Sequence, residues 1–465
     1  MNMINVRRLA VMTFLGAGML SGISAQVSPL QVDTLKETKI PDQWDLQSCI
    51  DYAKEQNITI RKNRITAVST QIDVKTAKAA LFPSLSFSTG HQVVNRPYQE
   101  TSSRVSGSEI ISSNSKTSYN GNYGLNASWT LYNGNKRLKT IQQEKLNNQM
   151  AELDVATSEN NIQESIAQVY IQILYAAESV KVNENTLQVS IAQRDRGQEL
   201  LNAGSIAKSD LAQLEAQVST DRYQLVTAQA TLEDYKLQLK QLLELDGENE
   251  MNIYLPALSD ENVLAPLPTK RDVYISALSL RPEIEASKLN VEASELGINI
   301  AKSSYFPTIS LSAGIGTNHT SGSDFTFGEQ VKNGWNNSIG LSVSVPIFNN
   351  RQTKSAVQKA KLQYETSMLS LLDEQKALYK TIESLWLDAN SAQQRYAAAN
   401  EKLKSTQISY ELISEQFNLG MKNTVELLTE KNNLLQAQQE QLQAKYMAIL
   451  NTQLLKFYQG DQLAI

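Results

Sequence analysis

Two stretches of the chain repeat apolar positions at alternating intervals of three and four residues, which is the spacing of a coiled-coil seam. The later seam is formed by Leu378, Ile382, Leu385, Ala389, Ala392, Tyr396, Ala399, Leu403, Thr406, Tyr410, Ile413 and Phe417. The earlier seam lies 216 residues before it and is formed by Ile162, Ile166, Val169, Ile173, Ala176, Val180, Asn183, Leu187, Ser190, Arg194, Gly197 and Leu201. No proline interrupts residues 135–202 or 351–418, so the pattern predicts two helices of roughly 100 Å in a duplicated chain. The earlier seam becomes less apolar towards its end.

The period changes to two beyond Pro83 and Pro307. Proline disfavours helix in the residue before it, so both prolines are predicted to stand at helix-to-strand junctions. In the second half Ile309, Leu311 and Ala313 alternate with serine and glycine, and the first half shows a similar alternation. The pattern predicts four strands per chain, at about residues 84–98, 120–132, 308–318 and 335–347. Polar tips separate the two strands of each pair.

Glycine is predicted to cap the long helices at Gly204 and Gly420, because a left-handed cap suits a residue without a side chain. Asp45 and Thr269 are predicted N-caps of shorter helices. These signals divide the chain into segments. The segments are a signal peptide (1–25), a polar lead (26–43), a first repeat (44–246) with a helical hairpin at 135–246, a linker (247–268), a second repeat (269–460) with a hairpin at 351–459, and a C-terminal tail (461–465).

The first residues carry Arg7 and Arg8, then an apolar run, then small residues up to Ala25, which is typical of a secretory signal. No cysteine lies near the predicted cleavage site, so we expect a mature chain that is not lipid-anchored. The formal net charge is −5, and removal of the two arginines makes it more negative. This balance argues against nucleic acid as a partner.

Residues that carry chemistry are sparse. Cys49 is the single cysteine, and a small buried residue is the preferred interpretation, with a reactive thiol as the alternative. His91 and His319 are the only histidines, and we expect them to be exposed or to line a barrel. The sequence offers no metal-ligand cluster, no nucleophile-base arrangement and no phosphate-binding loop. It therefore predicts a protein that is not an enzyme and uses no cofactor.

The predicted strands leave an apolar face that needs a cover. A soluble sandwich is one alternative, but the long helices run away from the strands and no predicted helix returns to them. Lipid is then the expected cover, although no run of eighteen apolar residues predicts a transmembrane helix. In a bilayer an open sheet leaves edge amides unpaired, and four strands cannot enclose a lumen. The sequence therefore predicts an oligomer whose chains pool their strands.

The two Phe-Pro strand starts, the paired strands and the two helix turns with an acid six residues after glycine resemble the TolC-type outer-membrane efflux family over about residues 44–460. The resemblance implies an α+β membrane protein. In it, an internally duplicated, long α-helical coiled-coil barrel joins a transmembrane β-barrel that trimerisation completes, with four strands per chain. It also implies a location in the outer membrane of a Gram-negative bacterium, in contact with its lipid and extending into the periplasm.

The function that this resemblance implies is a passive exit duct of a tripartite efflux or type I secretion system. The implied partners are a periplasmic adaptor protein and an inner-membrane pump of the resistance-nodulation-division or ABC type. The transported substrate does not follow from the sequence. Two other functions stay open, a periplasmic coiled-coil scaffold without a pore and a receptor or adhesin that acts through its serine-rich tips.

The resemblance further implies a periplasmic gate at the helix turns. Asp210 and Glu426 match its aperture carboxylates. Lys422 matches a basic gate position, and Phe417 stands where the family can carry an aromatic hydroxyl. Helix capping is the alternative for both acids, because Asn423 and Glu426 have the spacing of a capping box. The two roles are compatible, and in a trimer six such acids predict cation selectivity.

Three aromatic residues near the strand ends have two interpretations. They are Trp129, Tyr132 and Phe348. Aromatic side chains commonly form belts at membrane interfaces, but ordinary packing explains such residues equally well. The sequence leaves both open.

Overall fold

The structure is a computed structural model that describes residues 41–98, 102–106, 109–113, 116–246, 251–256, 263–321 and 325–464. The predicted signal peptide and most of the predicted polar lead lie outside these residues, as do parts of the first strand tip and of the linker.

Two very long helices dominate the chain, and each is followed by a shorter partner. The helices are α1 (Leu46–Gln56), α2 (Ile58–Ala79), α3 (Lys136–Asn202), α4 (Lys208–Leu242), α5 (Lys270–Leu280), α6 (Pro282–Ser303), α7 (Phe327–Asn333), α8 (Gln352–Asn418) and α9 (Thr424–Gln459). Helices α3 and α8 have 67 residues each, which corresponds to roughly 100 Å. We call α3 with α4 the first hairpin, and α8 with α9 the second hairpin.

Seven of the twelve positions of each predicted seam are buried and the other five are partly buried, which confirms that the seams pack. In α8 the buried seam residues are Leu378, Ile382, Ala389, Ala392, Tyr396, Ala399 and Phe417. In α3 they are Ile166, Ile173, Ala176, Asn183, Leu187, Ser190 and Gly197. Polar seam positions of the first hairpin are therefore buried together with the apolar ones.

The shorter helices begin at the predicted caps. Asp45 precedes α1, and its Oδ1 accepts a hydrogen bond of 2.7 Å from the backbone N–H of Ser48. Thr269 precedes α5, and its hydroxyl accepts one of 3.2 Å from the N–H of Asp272. These bonds satisfy amides that have no partner within the first turn of a helix.

Four strands form one antiparallel sheet in the order β1-β4-β5-β6. Their bounds are β1 (Ser84–Asn95), β4 (Thr117–Asn133), β5 (Thr308–Thr320) and β6 (Asn336–Ser344). The sheet therefore joins the strands of both repeats through β4 and β5. In this sheet β1 and β6 are the edges, and each pairs on one side only.

Three features of the strands differ from the sequence prediction. The last strand, predicted to reach about residue 347, ends at Ser344, shortly before Pro346, which has no N–H to donate to a sheet ladder. The first strand ends at Asn95, because residues 97–98 form a turn. The polar tips also contain regular elements that were not predicted. They are the hairpin of β2 (Ser102–Ser106) with β3 (Glu109–Ser113), and helix α7.

The largest core lies where the first repeat meets the linker and both hairpins. Trp44, which is 1% exposed, pairs through its backbone with Asn252 and Tyr254 at 2.8 Å each. The Tyr170 hydroxyl of α3 donates to the carbonyl of Tyr254 at 2.6 Å. Cys49 is fully buried in this core, and burial raises the pKa of its thiol to about 12. The preferred interpretation of Cys49 as a buried residue is confirmed.

Among the residues that the structure describes, no helix combines the length and the apolar character that crossing a membrane requires.

Candidate functional site

The turns between the long helices and their partners have the same backbone. Gly204 and Gly420 adopt φ values of +74° and +72°, a region that side chains disfavour. The N–H of the residue after each glycine returns to a carbonyl of the last helical turn, from Ser205 to Leu200 and from Met421 to Gln416, at 2.8 Å in both cases. The glycines thus reverse the chain tightly between two helices.

The second turn is closed by side chains. The Asn423 carboxamide accepts a hydrogen bond of 2.9 Å from the N–H of Glu426, and the Glu426 carboxylate accepts one of 3.3 Å from the N–H of Asn423. Lys422 Nζ lies 2.6 Å from Glu426 Oε1. The hydrogen bonds from Lys422 and from the backbone of Asn423 hold the pKa of Glu426 below its usual value. Glu426 therefore caps α9, whatever else it does.

The first turn is closed less completely. The Asp210 carboxylate accepts a hydrogen bond of 3.0 Å from the N–H of Ala207, but the N-cap residue is an alanine and offers no acceptor in return. Within the described residues Asp210 has no ion pair. The carboxylate of Asp210 therefore differs from that of Glu426, which is ion-paired with Lys422.

The remaining predicted gate residue, Phe417, is buried within its own chain. Its side chain is 3% exposed and belongs to the packed seam of α8. A phenylalanine there contributes apolar packing to the end of the second hairpin and no hydroxyl.

The junction prolines stand between helix and sheet. Pro83 immediately precedes β1, and Pro307 immediately precedes β5. Beside the first junction, Arg137 donates to the carbonyl of Ala80 at 2.8 Å and also to the carbonyl of Thr130. Trp129 Nε1 donates to the carbonyl of Leu81 at 2.7 Å. These bonds fasten the end of α2 to β4, and for Trp129 both interpretations, membrane belt and ordinary packing, stay predictions.

A buried polar cluster that the sequence analysis did not identify joins the two hairpins. Lys431 of α9 contacts the carboxylate of Asp221 in α4 and the hydroxyl of Ser190 in α3, and the hydroxyl also donates to Asp221. The three residues are 3%, 1% and 2% exposed. Burial lowers the pKa of the Lys431 ammonium, and the neighbouring carboxylate opposes that effect. We call Ser190, Asp221 and Lys431 the buried triad.

The sequence did contain a signal for the buried triad. Ser190 occupies a seam position of α3, and Asp221 continues the three-four series of Leu214 and Val218 in α4. Lys431 falls between Leu427 and Leu434 in the same way. Charged residues at seam positions are buried on packing, and a buried charge needs a partner of opposite sign. Two opposite charges on different seams were therefore candidates for a pair.

A second buried cation lies far from the turns. The Arg281 guanidinium is ion-paired with Glu283 at 2.7 Å and with Glu164 of α3 at 3.2 Å, and it lies 4.3 Å from the ring of Tyr458 in α9. Burial raises the pKa of Glu164, while Arg281 opposes this rise. This cluster fixes the start of α6 against α3 and α9.

The sheet exposes one strongly apolar face. Phe87, Leu125 and Ile315 lie side by side in register across β1, β4 and β5. On the edge strand β6, Ile339 and Leu341 are 84% and 64% exposed. Serine, asparagine and glycine occupy the alternate positions, which face the opposite side. Within the described residues helix α7 contacts this face at one end, near Thr317 and His319, while Phe87, Ile339 and Leu341 stay exposed.

Both histidines lie on that apolar face, at the end of the sheet away from the long helices. His91 and His319 flank Gly121 in register. The Tyr119 hydroxyl lies 2.6 Å from Nδ1 of His91, and the His319 ring contacts Phe327 edge to face. The side chain of His91 is exposed and that of His319 is partly buried. The described residues contain no cluster of three or more potential metal ligands.

The sequence of this chain is similar to those of known outer-membrane proteins. The sequence model of the family described as outer membrane efflux protein matches residues 49–244 and 273–460. The outer membrane efflux protein BepC of Brucella suis is 24% identical over 294 residues, which are 63% of this chain and 61% of BepC. The outer membrane protein TolC of Escherichia coli is also 24% identical over 294 residues, 61% of this chain and 58% of TolC. The aligned part thus spans about three fifths of these two relatives.

The fold is also found in solved structures. A crystal structure of CusC superimposes with a TM-score of 0.75 at 19% identity, and the alignment covers 90% of this chain and 92% of CusC. This similarity confirms the predicted α+β fold class, with its long helical part and its four-stranded antiparallel sheet. Together with the family match over most of the sequence, it shows that the chain belongs to the outer membrane efflux protein family.

Proposed function

We propose that this chain is one of three identical subunits of an outer-membrane channel, a passive exit duct for an efflux or type I secretion system. Three sheets of four strands close one barrel in the membrane, and three pairs of hairpins continue it as a helical tunnel into the periplasm. Export through such a duct needs no chemistry in the chain itself. The two segments that match the family model support the predicted division into two repeats.

The observation that carries this proposal is the sheet with an apolar face and two open edges. Ile339, Leu341 and Val343 on β6 are 84%, 64% and 58% exposed. Lipid removes such a face from water, but hydrocarbon cannot satisfy the amides along β1 and β6. Only strands of further copies supply partners for both edges and leave none open. A lone sheet of this kind is stable neither in water nor in lipid.

We propose that Asp210 and Glu426 also form a carboxylate ring at the periplasmic end of the duct. Three chains bring six such acids together at the turns. The partial neutralisation of Glu426 by Lys422 leaves Asp210 as the stronger contributor to the field. A ring of this charge attracts cations and repels anions, so the channel is expected to be cation-selective.

Reversal potentials in planar bilayers under a potassium chloride gradient test both proposals. The full-length protein is expected to form cation-selective channels, and Asp210→Ala with Glu426→Ala is expected to abolish most of that selectivity. The matched control is Glu292→Ala with Glu295→Ala, which removes the same charge from exposed positions on α6. Absence of conductance contradicts the channel. Equal selectivity of both double variants contradicts the ring.

We further propose that the turns contact a periplasmic adaptor, which joins the duct to an inner-membrane pump of the resistance-nodulation-division or ABC type. The second turn exposes Leu419, Met421 and Val425 by 75%, 69% and 58%, an apolar surface suited to protein contact. A photo-crosslinking residue at Met421 is expected to capture the adaptor in cells. The same residue at Val226, which is 59% exposed on α4, is the control. Equal capture at both positions contradicts docking at the turns.

A further inference from the structure

Four aromatic side chains surround Gly121 on the apolar face of the sheet. Tyr119 and Tyr123 flank it along β4, and His91 and His319 flank it on the neighbouring strands β1 and β5. The ring of His91 meets that of Tyr123 edge to face, with 5.5 Å between ring centroids. The rings of Tyr119 and His319 meet in the same way, also at 5.5 Å. Gly121 is buried beneath them. We call the four rings the aromatic cluster.

Three potential ligand atoms of the aromatic cluster converge on one point. Nδ1 of His91 lies 3.3 Å, and Nδ1 of His319 and the hydroxyl of Tyr123 lie 3.4 Å, from the position that a Cβ of Gly121 would occupy. Each atom is about 1.3 Å further from that point than a metal–ligand bond is long. Small rotations of the three side chains close this difference, and the glycine leaves the space for an ion between them.

The hydrogen bonding of the two imidazoles also points to a ligand. Nδ1 of His319 is buried and, among the described residues, has no hydrogen-bond partner, which costs free energy. The ring of His91 is held in place, since its Nδ1 lies 2.6 Å from the hydroxyl of Tyr119 and its Nε2 lies 3.1 Å from that of Thr89. A membrane-interface belt explains the tyrosines, but it does not explain a buried imidazole nitrogen directed at a glycine.

We propose that this end of the sheet binds a divalent late transition-metal ion through Nδ1 of His91, Nδ1 of His319 and the phenol oxygen of Tyr123. Imidazole nitrogens suit such ions, and Cu²⁺ stands highest in their general order of affinity. Clusters of three or more histidine, cysteine, aspartate or glutamate side chains do not occur in the described residues, and here a tyrosine supplies the third donor. On binding, the Tyr123 hydroxyl releases its proton to water, and His91 exchanges its contact with Tyr119 for the ion.

The bound ion ties β1 to β5 across β4, because its two imidazole ligands come from the strands on either side. All three ligands belong to one chain, so the inference does not depend on the proposed trimer. The side chain of His91 is exposed, which gives an ion access from water. In the proposed duct this end of the sheet lies away from the periplasmic helices, so the ion comes from the exterior of the cell.

Titration with Cu²⁺ of the full, processed protein in detergent, prepared without a polyhistidine tag, tests the inference. Calorimetry is expected to give one Cu²⁺ per chain, and electron paramagnetic resonance is expected to show two imidazole nitrogens on the ion. Gly121→Ala keeps every ligand but fills the point between them, and it is expected to weaken Cu²⁺ binding about tenfold or more. The matched control is Gly124→Ala on the opposite face of β4, where the added Cβ lies 3.4 Å from its nearest neighbours. The control is expected to change the affinity by less than about twofold.

Substitution of single ligands identifies the donors. His91→Gln and His319→Gln are each expected to weaken Cu²⁺ binding about tenfold or more. Tyr123→Phe is expected to weaken binding and to remove the visible absorption of a phenolate bound to Cu²⁺. Tyr119→Phe removes only a contact that competes for His91, so it is expected not to weaken binding.

Equal Cu²⁺ affinity of Gly121→Ala and Gly124→Ala overturns the inference, as does equal affinity of wild type and His319→Gln. Loss of binding with Tyr119→Phe and not with Tyr123→Phe overturns the proposed ligand set. Far-ultraviolet circular dichroism reports whether each variant folds. If Gly121→Ala does not fold, the affinities of His319→Gln and Tyr119→Phe decide the question.

Discussion

The two hairpins have nearly the same dimensions but different interiors. Helices α3 and α8 have 67 residues each, and α4 and α9 have 35 and 36. The first hairpin buries Ser190 and Asp221 at its seam, whereas Thr406 and Ala437 stand at the equivalent places of the second. The second hairpin provides Lys431, whose ammonium group pairs with the buried carboxylate of Asp221 in the first hairpin. Each hairpin is thus fitted to the other and not to a copy of itself.

The turns show the same divergence. The second turn has a complete cap and an ion pair, while the first has an alanine at its N-cap and an acid without an ion pair in the described structure. The backbone is the same in both turns, with a glycine at positive φ and a hydrogen bond back to the last helical turn. Side chains then gave the two turns different charge and different exposure. Equal geometry therefore does not imply equal function in the two halves.

Removal of the Asp221 charge is expected to have the largest effect on stability. Asp221→Leu leaves the buried Lys431 without a carboxylate, which is expected to destabilise the protein by about 3–5 kcal/mol. Adding Lys431→Met restores an apolar pair and is expected to return stability to within about 1 kcal/mol of wild type. Chemical unfolding in detergent, followed by far-ultraviolet circular dichroism, measures both. The control is Glu215→Ala, which is expected to stay within about 0.5 kcal/mol. If Asp221→Leu is as stable as Glu215→Ala, the stabilising role of the buried ion pair is contradicted.

Gly197 and Gly297 differ in the space around them, so alanine is expected to have opposite effects at the two positions. A Cβ there would lie 2.5 Å from Cδ1 of Leu214, so Gly197→Ala is expected to cost about 1–3 kcal/mol by overpacking. Gly297 in α6 has only Gln143 nearby, at 3.7 Å. Gly297→Ala is therefore expected to stabilise its helix by about 0.5–1 kcal/mol. Thermal unfolding of the two variants tests the contrast, and shifts of the same sign contradict it.

Substitutions at the N-caps of the two turns are expected to change helix stability in opposite directions. Asn423→Ala removes the acceptor for the N–H of Glu426 and is expected to cost about 1 kcal/mol. Ala207→Asn supplies the missing acceptor in the first turn and is expected to stabilise it by a similar amount. Hydrogen exchange of the amides in the first turn of α4 and of α9 reports each change locally. Slower exchange in α9 after Asn423→Ala is the result that contradicts this account.

The smallest effect is a pH dependence at the second turn. Because the folded pKa of Glu426 lies below its ordinary value of 4.5, its ionised form stabilises the fold above that pH. The contribution is lost as the pH falls through the folded pKa. Glu426→Gln is therefore expected to be less stable than wild type at pH 7, with the difference shrinking below about pH 4.5. Glu292→Gln, which removes an exposed acid of α6, serves as the comparison for general charge effects. If the stability difference between wild type and Glu426→Gln grows as the pH falls, the predicted direction is wrong.

Much of the fold followed from periodicity. The seam spacing predicted both long helices, and the change to period two beyond Pro83 and Pro307 predicted the four strands. Those patterns repeat over many residues, so local exceptions do not hide them. Helix α7 and the β2–β3 hairpin were missed because they are short elements in polar tips, where no apolar period marks them.

The candidate site was harder to predict from the sequence than the fold. The glycine turns and the acids six residues beyond them stand in recognisable local patterns, so the capping geometry of Glu426 could be anticipated. The seam positions of Asp221 and Lys431 marked each as a charge that packing would bury, but they did not specify the partner, because 210 residues separate the two and the packing of the hairpins brings them together. The burial of Phe417 did follow from its seam position, whereas its part in a gate stays a prediction.

The central claim is that the sheet is completed only by further copies of the chain. The most direct test is the native mass of the full, processed protein extracted from outer membranes in mild detergent. The account predicts a complex of three chains that survives dilution and dissociates only on heating. A stable monomer, in detergent or in water, would contradict it.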